Sequence, residues 1–183
     1  MPEFSFYHLG MTYQILSALA AFAFVSSITP GPNNLMLMAS GANYGFARTI
    51  PHMLGIGIGF TAMVLLVGIG LMGIFDLFPL LHTILKVVSV AYLLWLAWKI
   101  ANAGAPDANL STGTPFTFLQ AALFQWVNPK AWTMALTAIT LYAPDRSLWA
   151  VAVVAGIFGL INLPSVSVWT ILGQQMRRVL NSP

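Results

Sequence analysis

The 183-residue sequence is poor in charge and contains no cysteine. Asp, Glu, Lys and Arg together make up only 6% of it, whereas a soluble domain carries about 25%. So few charges cannot cover a water-exposed surface. With 58% hydrophobic residues and a mean hydropathy of +0.83, the composition instead indicates a membrane protein. The absence of cysteine excludes disulfides, thiolate metal ligands and thiol nucleophiles.

Several function classes lack the residues they need. The seven Lys and Arg are scattered, so no basic patch suits a nucleic acid. The three histidines, His8, His52 and His82, lie near predicted span ends without an acidic pair, which leaves no metal set and no nucleophile with a base. The stretch GIGIGF lacks the strand and the lysine of a nucleotide loop, so Gly55 and Gly59 are predicted to pack helices. We expect neither an enzyme nor a bound cofactor or metal.

Long uncharged stretches define the membrane spans. No charged residue occurs in 4–47, 49–75 or 147–176, and each stretch can hold a helix of about 20 residues. Two further apolar stretches, 80–101 and 115–142, contain isolated lysines. We therefore predict an all-α polytopic membrane protein with five transmembrane helices. The amino-terminal segment carries no Lys or Arg before its apolar run, so the first span is expected to stay uncleaved.

A polar loop, 102–114, divides a single membrane domain, 1–183, into a front half, 1–101, and a back half, 115–183. Basic residues are distributed unequally over the two sides that five spans define. By the positive-inside rule the richer side is cytoplasmic, which places the N-terminus outside and the tail, 177–183, in the cytoplasm. The cytoplasmic set is Arg48, Lys99, Arg177 and Arg178, against Arg146 and Lys86 outside.

The first span is interrupted by two prolines and a glycine in ITPGPNNLMLMA, 28–39. The segments on either side, 15–28 and 35–42, would form about 21 Å and about 12 Å of helix, so neither alone crosses a hydrocarbon core of about 30 Å. Together they do, which places the break inside the bilayer, where protein or a water-filled cavity must cover the backbone. The alternatives are a turn after a short re-entrant piece and a simple packing kink.

A second break is predicted at Asn128-Pro129-Lys130, and Pro129 follows Pro30 by 99 residues. The first and fourth spans run in opposite directions when the chain crosses the membrane five times. Broken helices at matching positions of inverted repeats are typical of the binding site of a secondary transporter. We therefore predict the remnant of a 3+3 inverted-repeat transporter in which helices 1 and 4 are broken.

Lys130 lies near the centre of its span, where a lysine facing lipid costs about 3 kcal/mol. Because no carboxylate occurs in any predicted span, Lys130 is expected to face a cavity or a partner; snorkelling to the interface is the alternative. Thr133, Thr137 and Thr140 share one helical face with Lys130 and predict a cavity wall, unless their hydroxyls bond back to their own backbone.

Three motifs, TPGPNN, VAYLLWLAWKIA and FQWVNPKAW, occur in this order along the chain. They resemble the LysE/RhtB family of bacterial amino-acid exporters, and their wording is most similar to its cysteine and O-acetylserine exporter branch. The resemblance implies a secondary exporter of amino acids or close derivatives in the bacterial inner membrane, driven by the proton gradient. Its partners would be an amino-acid substrate and the lipid bilayer. A homo-oligomer is possible.

Members of this family usually have six membrane helices, whereas this chain ends where the sixth would begin. The second half-repeat is therefore expected to be incomplete. A non-transporting membrane subunit, or a truncated and inactive remnant of a transporter, is the alternative function.

The two breaks supply groups that suit a zwitterionic amino acid. Its carboxylate is expected to meet Lys130 and the N–H groups that follow Pro32, where the helix dipole is positive. Its ammonium would meet carbonyls that Pro30 and Pro32 leave without donors. Asparagines would cap the half-helices and orient the substrate. The predicted substrate-binding residues are Thr29, Pro30, Gly31, Pro32, Asn33, Asn34, Asn128, Pro129 and Lys130.

Overall fold

The computed structural model describes residues 12–71, 114–143 and 147–180, together with scattered positions between 77 and 98. Most of the continuous ranges are helical, and no strand occurs among the described residues, so the predicted all-α class is confirmed. The helices are α1 (Tyr13–Ile28), α2 (Pro32–Leu66), α3 (Phe118–Phe124), α4 (Pro129–Tyr142) and α5 (Leu148–Leu180). A π-helical turn, Val67–Leu71, extends α2, and a 3-10 turn, Gln125–Val127, extends α3.

Local sequence sets the starts of these helices. The Thr117 hydroxyl accepts a hydrogen bond from the Gln120 backbone N–H at 3.2 Å, and the Gln120 side chain accepts one from the Thr117 N–H at 3.0 Å. This capping box satisfies N–H groups that lipid could not satisfy. Helices α2 and α4 instead begin with a proline at the first position, Pro32 and Pro129, which lacks the N–H that would go unpaired there.

Helix α2 is a hairpin rather than one rod. Gly45 has a φ of +78°, a backbone conformation that L side chains rarely adopt, and it separates a first limb, 32–44, from a second limb, 46–66. The hydroxyls of Ser40 and Thr49 lie 2.9 Å apart although nine residues separate them. In a straight helix that separation would be about 13 Å, so the chain reverses at Gly45.

The first broken segment, α1 and the first limb, follows α5 in one direction. The Phe22 ring contacts the Phe158 ring at 5.8 Å, and further along both segments the Asn162 amide donates to Ser27 Oγ. Beyond the break, Arg177 donates to the carbonyl oxygen of Ala42 at 3.3 Å. Residue numbers therefore rise in the same direction along the first broken segment and along α5. The chain continues past the first break without turning back. The re-entrant alternative is therefore wrong, and the two limbs of α2 pass α5 in opposite directions.

The second broken segment, α3 and α4, runs antiparallel to the first. The rings of Phe22 and Tyr142 lie 5.8 Å apart, and Lys130 contacts the carbonyl of Thr29. Asn33 is paired with Gln125, so the numbers rise in one segment as they fall in the other. The two helix restarts, Pro32 and Pro129, are 97 residues apart, two fewer than the separation of Pro30 and Pro129.

Glycines allow the helices to cross closely. A methyl group at Gly41 would overlap the backbone of Thr170, and one at Gly173 would overlap the carbonyl of Met38. The predicted packing pair is confirmed as well, because Gly55 and Gly59 face α3 so closely that a methyl group at either would overlap it.

Two of the described helices are long and apolar enough to cross a membrane by length and composition, Pro32–Gly70 and Leu148–Val179. The first contains the turn at Gly45, so it combines the end of the predicted first span with the second. Shorter apolar helices occur at Tyr13–Ile28 and Phe118–Val127, where the breaks lie. The predicted third span, 80–101, and the loop after it fall largely outside the described residues. The structure is that of a helical protein with membrane-type helices.

Candidate functional site

The carbonyl groups at the first break accept hydrogen bonds from nearby side chains. Thr29 ends α1, and its hydroxyl donates back to the carbonyl of Val25. The Asn34 side-chain amide donates to the carbonyl oxygens of Ser27 and Thr29, at 2.9 and 2.8 Å. The indole of Trp169 on α5 donates to the Ile28 carbonyl at 3.1 Å. Asn34 therefore satisfies the end of α1 and does not cap the half-helix that follows, which corrects the role predicted for it.

The second break is built as the sequence predicts. The 3-10 turn ends at Val127, and Asn128 accepts a hydrogen bond from the Lys130 backbone N–H at 3.1 Å. Asn128 is thus the N-cap of α4, with Pro129 at its first position. Trp132 of α4 binds the 3-10 turn, because its indole N–H donates to the carbonyl oxygen of Trp126 at 2.9 Å.

Lys130 joins the two breaks. Its Nζ donates to the carbonyl oxygen of Thr29 at 2.5 Å and to that of Pro30 at 3.5 Å. The lysine stem lies on Gly31, where a Cβ would come within 2.7 Å of Lys130 Cδ. The described residues contain no Asp or Glu, so carbonyl oxygens at the end of α1 surround the ammonium. Lys130 therefore faces a protein partner, as its position in the span predicts.

A pair of amides also bridges the breaks. Asn33 Nδ2 donates to Gln125 Oε1 at 2.8 Å, and Gln125 Nε2 donates back to Asn33 Oδ1 at 3.2 Å. Gln125 is fully buried and also donates to the Ala121 carbonyl. Sequence reasoning missed Gln125. Its signal was a glutamine in an apolar run three residues before Asn128, a position that only a polar partner explains.

These groups surround a small polar cavity with a volume of about 20 Å³. Such a cavity has room for about one water molecule, which is too little for an amino acid. The predicted residues Thr29, Pro30, Pro32 and Pro129 do not line this cavity. The cavity is lined chiefly by Ser27, Asn33, Asn34, Gln125, Asn128, Lys130, Met134 and Asn162.

The cavity wall predicted from the threonines is wrong. Thr133 and Thr140 are exposed, and the Thr133 hydroxyl donates to the Pro129 carbonyl at 3.0 Å, so the threonine stripe forms no wall. Ala131 and Met134 line the cavity instead, because α4 is turned by its packing on α1 and α5. His52, predicted near a span end, is 2% exposed and lies against the Phe116 ring, and it does not line the cavity.

The described part exposes many large apolar side chains and buries several amides, unlike a soluble protein. Asparagine and glutamine are buried at the breaks, whereas large apolar side chains point outward; Leu160 is 79% exposed and Ile69 is 58% exposed. Two broken antiparallel helices that meet around a polar cavity are typical of the binding site of a membrane transport protein. The LysE type translocator family matches residues 24–182, and the chain belongs to that family. It is accordingly a translocator and not an enzyme.

Characterised relatives extend the comparison. The chain is 31% identical over 173 residues to the cysteine/O-acetylserine efflux protein of Salmonella typhimurium, and the alignment covers 92% of this chain and 87% of the relative. It is 29% identical over 174 residues to the protein of the same description from Escherichia coli, with the same coverage. No solved structure matches the chain.

Proposed function

We propose that this protein exports amino acids or close derivatives across the bacterial inner membrane, in exchange for protons. The observation that carries the proposal is the meeting of both helix breaks at Lys130, within a chain of a translocator family. The relatives at about 30% identity move cysteine and O-acetylserine according to their descriptions, so a small polar amino acid is the substrate class proposed.

The zwitterion would engage the breaks through its two charges. Lys130 would exchange the Thr29 carbonyl for the substrate carboxylate, which also meets the N–H groups at the start of the limb after Pro32. That exchange releases the contact that holds the breaks together. The proposed binding residues remain those predicted. Those that line the cavity are Gly31, Asn33, Asn34, Asn128 and Lys130, and those that shape the backbone beside it are Thr29, Pro30, Pro32 and Pro129.

An inverted-repeat origin of the two broken segments is part of the proposal. Their antiparallel course and the proline at the start of each second half support it. In such transporters the two halves rock about a site that lies between the broken helices. A cavity of about 20 Å³ then corresponds to a closed state, and transport requires the Asn33–Gln125 and Lys130–Thr29 contacts to separate.

Transport by purified protein in liposomes tests the function and the role of Lys130. Vesicles loaded with labelled cysteine are diluted into acidic buffer, and efflux is followed for wild type and Lys130→Met. Methionine keeps an unbranched stem and removes the ammonium, so efflux should fall about tenfold or more, the value of a hydrogen bond between charged groups. Lys86→Ala, a lysine exposed on the surface, is the matched control and should transport normally.

The outcomes separate the parts of the proposal. Equal efflux from wild type and Lys130→Met contradicts the role of Lys130. A protonophore should remove the acceleration by acidic buffer, and efflux indifferent to the gradient argues against proton exchange. If the wild type moves none of the amino acids tested, the result favours the alternative function, a non-transporting membrane subunit or a truncated and inactive remnant.

A further inference from the structure

Asn162 on α5 holds a buried oxygen without a partner. The side chain is 4% exposed and lines the cavity between the breaks. Its Nδ2 donates to Ser27 Oγ at 3.0 Å, which fixes the amide, while its Oδ1 has no hydrogen-bond partner among the described residues. An unsatisfied buried acceptor costs about 1–3 kcal/mol, so the oxygen is expected to have a ligand in some state of the protein.

The other amides of the cavity are engaged with protein groups. Asn33 and Gln125 bind each other, Asn34 binds two carbonyls of the α1 end, and Asn128 caps α4. Each has a role in holding the breaks. Asn162 lies on a helix that is continuous at this position, and it contributes no bond to either restart. Of the buried side-chain atoms that have no partner among the described residues, the Asn162 oxygen is the one on a residue that lines this cavity; the others belong to His52 and Thr170.

The charges around the cavity indicate which end of a zwitterion this oxygen would take. Lys130 is the cation at the cavity and suits the carboxylate. The described residues contain no carboxylate, so the acceptors that they offer to the ammonium are neutral oxygens. Resting on the proposed function, we propose that Asn162 Oδ1 binds the α-ammonium of the substrate and thereby selects amino acids over analogues that lack the amine.

A comparison of two substrates tests this role. Cysteine and 3-mercaptopropionate differ by the ammonium, and each is offered to the reconstituted protein to obtain its KM and maximal rate. Wild type should prefer cysteine. Asn162→Leu should raise the KM for cysteine about tenfold and leave the KM for 3-mercaptopropionate unchanged, because only the amine of cysteine loses its acceptor. Asn162→Asp keeps an oxygen at the same place and should retain the preference even if the leucine variant folds poorly.

Ser165→Ala is the matched control. Ser165 is a buried polar residue of the same helix, 4% exposed, whose hydroxyl donates to the Ile161 carbonyl and which does not line the cavity. This variant should keep the wild-type ratio of the two KM values. An unchanged ratio in Asn162→Leu overturns the role of Asn162 while leaving export intact. A wild type that moves no amino acid overturns the proposed function itself, and this role with it.

Discussion

At the scale of the residue, the structure explains how a lysine is housed in an apolar span. Lys130 Nζ lies at the carboxyl end of α1, which is the negative end of the helix dipole. A substrate carboxylate would compete for the ammonium with the carbonyls of Thr29 and Pro30. The competition is possible because the lysine is held by neutral oxygens, whereas a buried ion pair would cost more to separate.

Gly31 leaves room for the Lys130 side chain because it has no side chain of its own. In Gly31→Ala the new methyl group would lie within 2.7 Å of Lys130 Cδ and 3.1 Å of Nζ, so the lysine must leave the Thr29 carbonyl. Because a flexible side chain can move at little cost, the melting temperature in detergent should stay nearly unchanged, with a stability change within about 0.5 kcal/mol. Efflux of cysteine should nevertheless fall several-fold.

Gly156→Ala serves as the comparison for that variant. No atom of the described residues lies within 4 Å of a Cβ at Gly156, which is exposed on α5. Replacement there should leave efflux unchanged and slightly raise stability, since alanine favours a helix. If Gly31→Ala transports like Gly156→Ala, the position of the lysine stem has no role in transport.

At the scale of the element, α5 holds both broken segments in place. Its Trp169 indole binds the end of α1, and near its carboxyl end Gly173 receives the backbone of the first limb. Phe158 packs between α1 and the second limb through the rings of Phe22 and Phe60, at 5.8 and 5.0 Å. The broken helices have few backbone bonds across their breaks, so this continuous helix supplies their alignment.

Gly41→Ala tests the crossing of the first limb with α5. A methyl group at Gly41 would overlap the carbonyl of Thr170, and a backbone group cannot move without shifting one helix. We expect a loss of about 1–3 kcal/mol in the free energy of unfolding, the usual cost of overpacking a tight contact. Thermal or denaturant unfolding in detergent measures it. An unfolding curve like that of Gly156→Ala would show that this crossing is looser than the structure has it.

Sequence reasoning reached the features that depend on local chemistry. Two prolines around a glycine, and an Asn-Pro pair within an apolar span, favour a helix break through local chemistry alone, so both breaks, and the Asn128 cap with them, could be predicted. A single proline does not suffice, since Pro51 and Pro164 lie inside helices. The facing direction of side chains could not be predicted. The side chains of Gln125 and Asn162 face the cavity, whereas that of Thr133 faces away from it. The packing of the helices against one another sets these directions. Helical periodicity states which residues share a face, but only the neighbouring helices decide where that face points.

At the scale of the whole molecule, the reversal at Gly45 determines which parts of the chain share a membrane side. The Phe46 backbone N–H donates to Gln174 on α5 at 2.9 Å, so Phe46 and the neighbouring Arg178 belong to one end of the molecule. Tyr13, 83% exposed, starts α1 at the opposite end. The charge distribution predicts that the end with Arg178 is cytoplasmic and that with Tyr13 is outside.

Single cysteines can report these positions without background, because the chain has none of its own. In intact cells an impermeant maleimide should label Tyr13→Cys, whereas Phe46→Cys and Arg178→Cys should react only after the membrane is opened. Opposite results for Phe46→Cys and Arg178→Cys would contradict the hairpin in α2, whatever the orientation. A uniform reversal of all three would instead keep the fold and invert the orientation, placing Arg178 outside the cell. The two outcomes differ because the hairpin rests on contacts within the protein, while the orientation rests on a small excess of basic residues on one side.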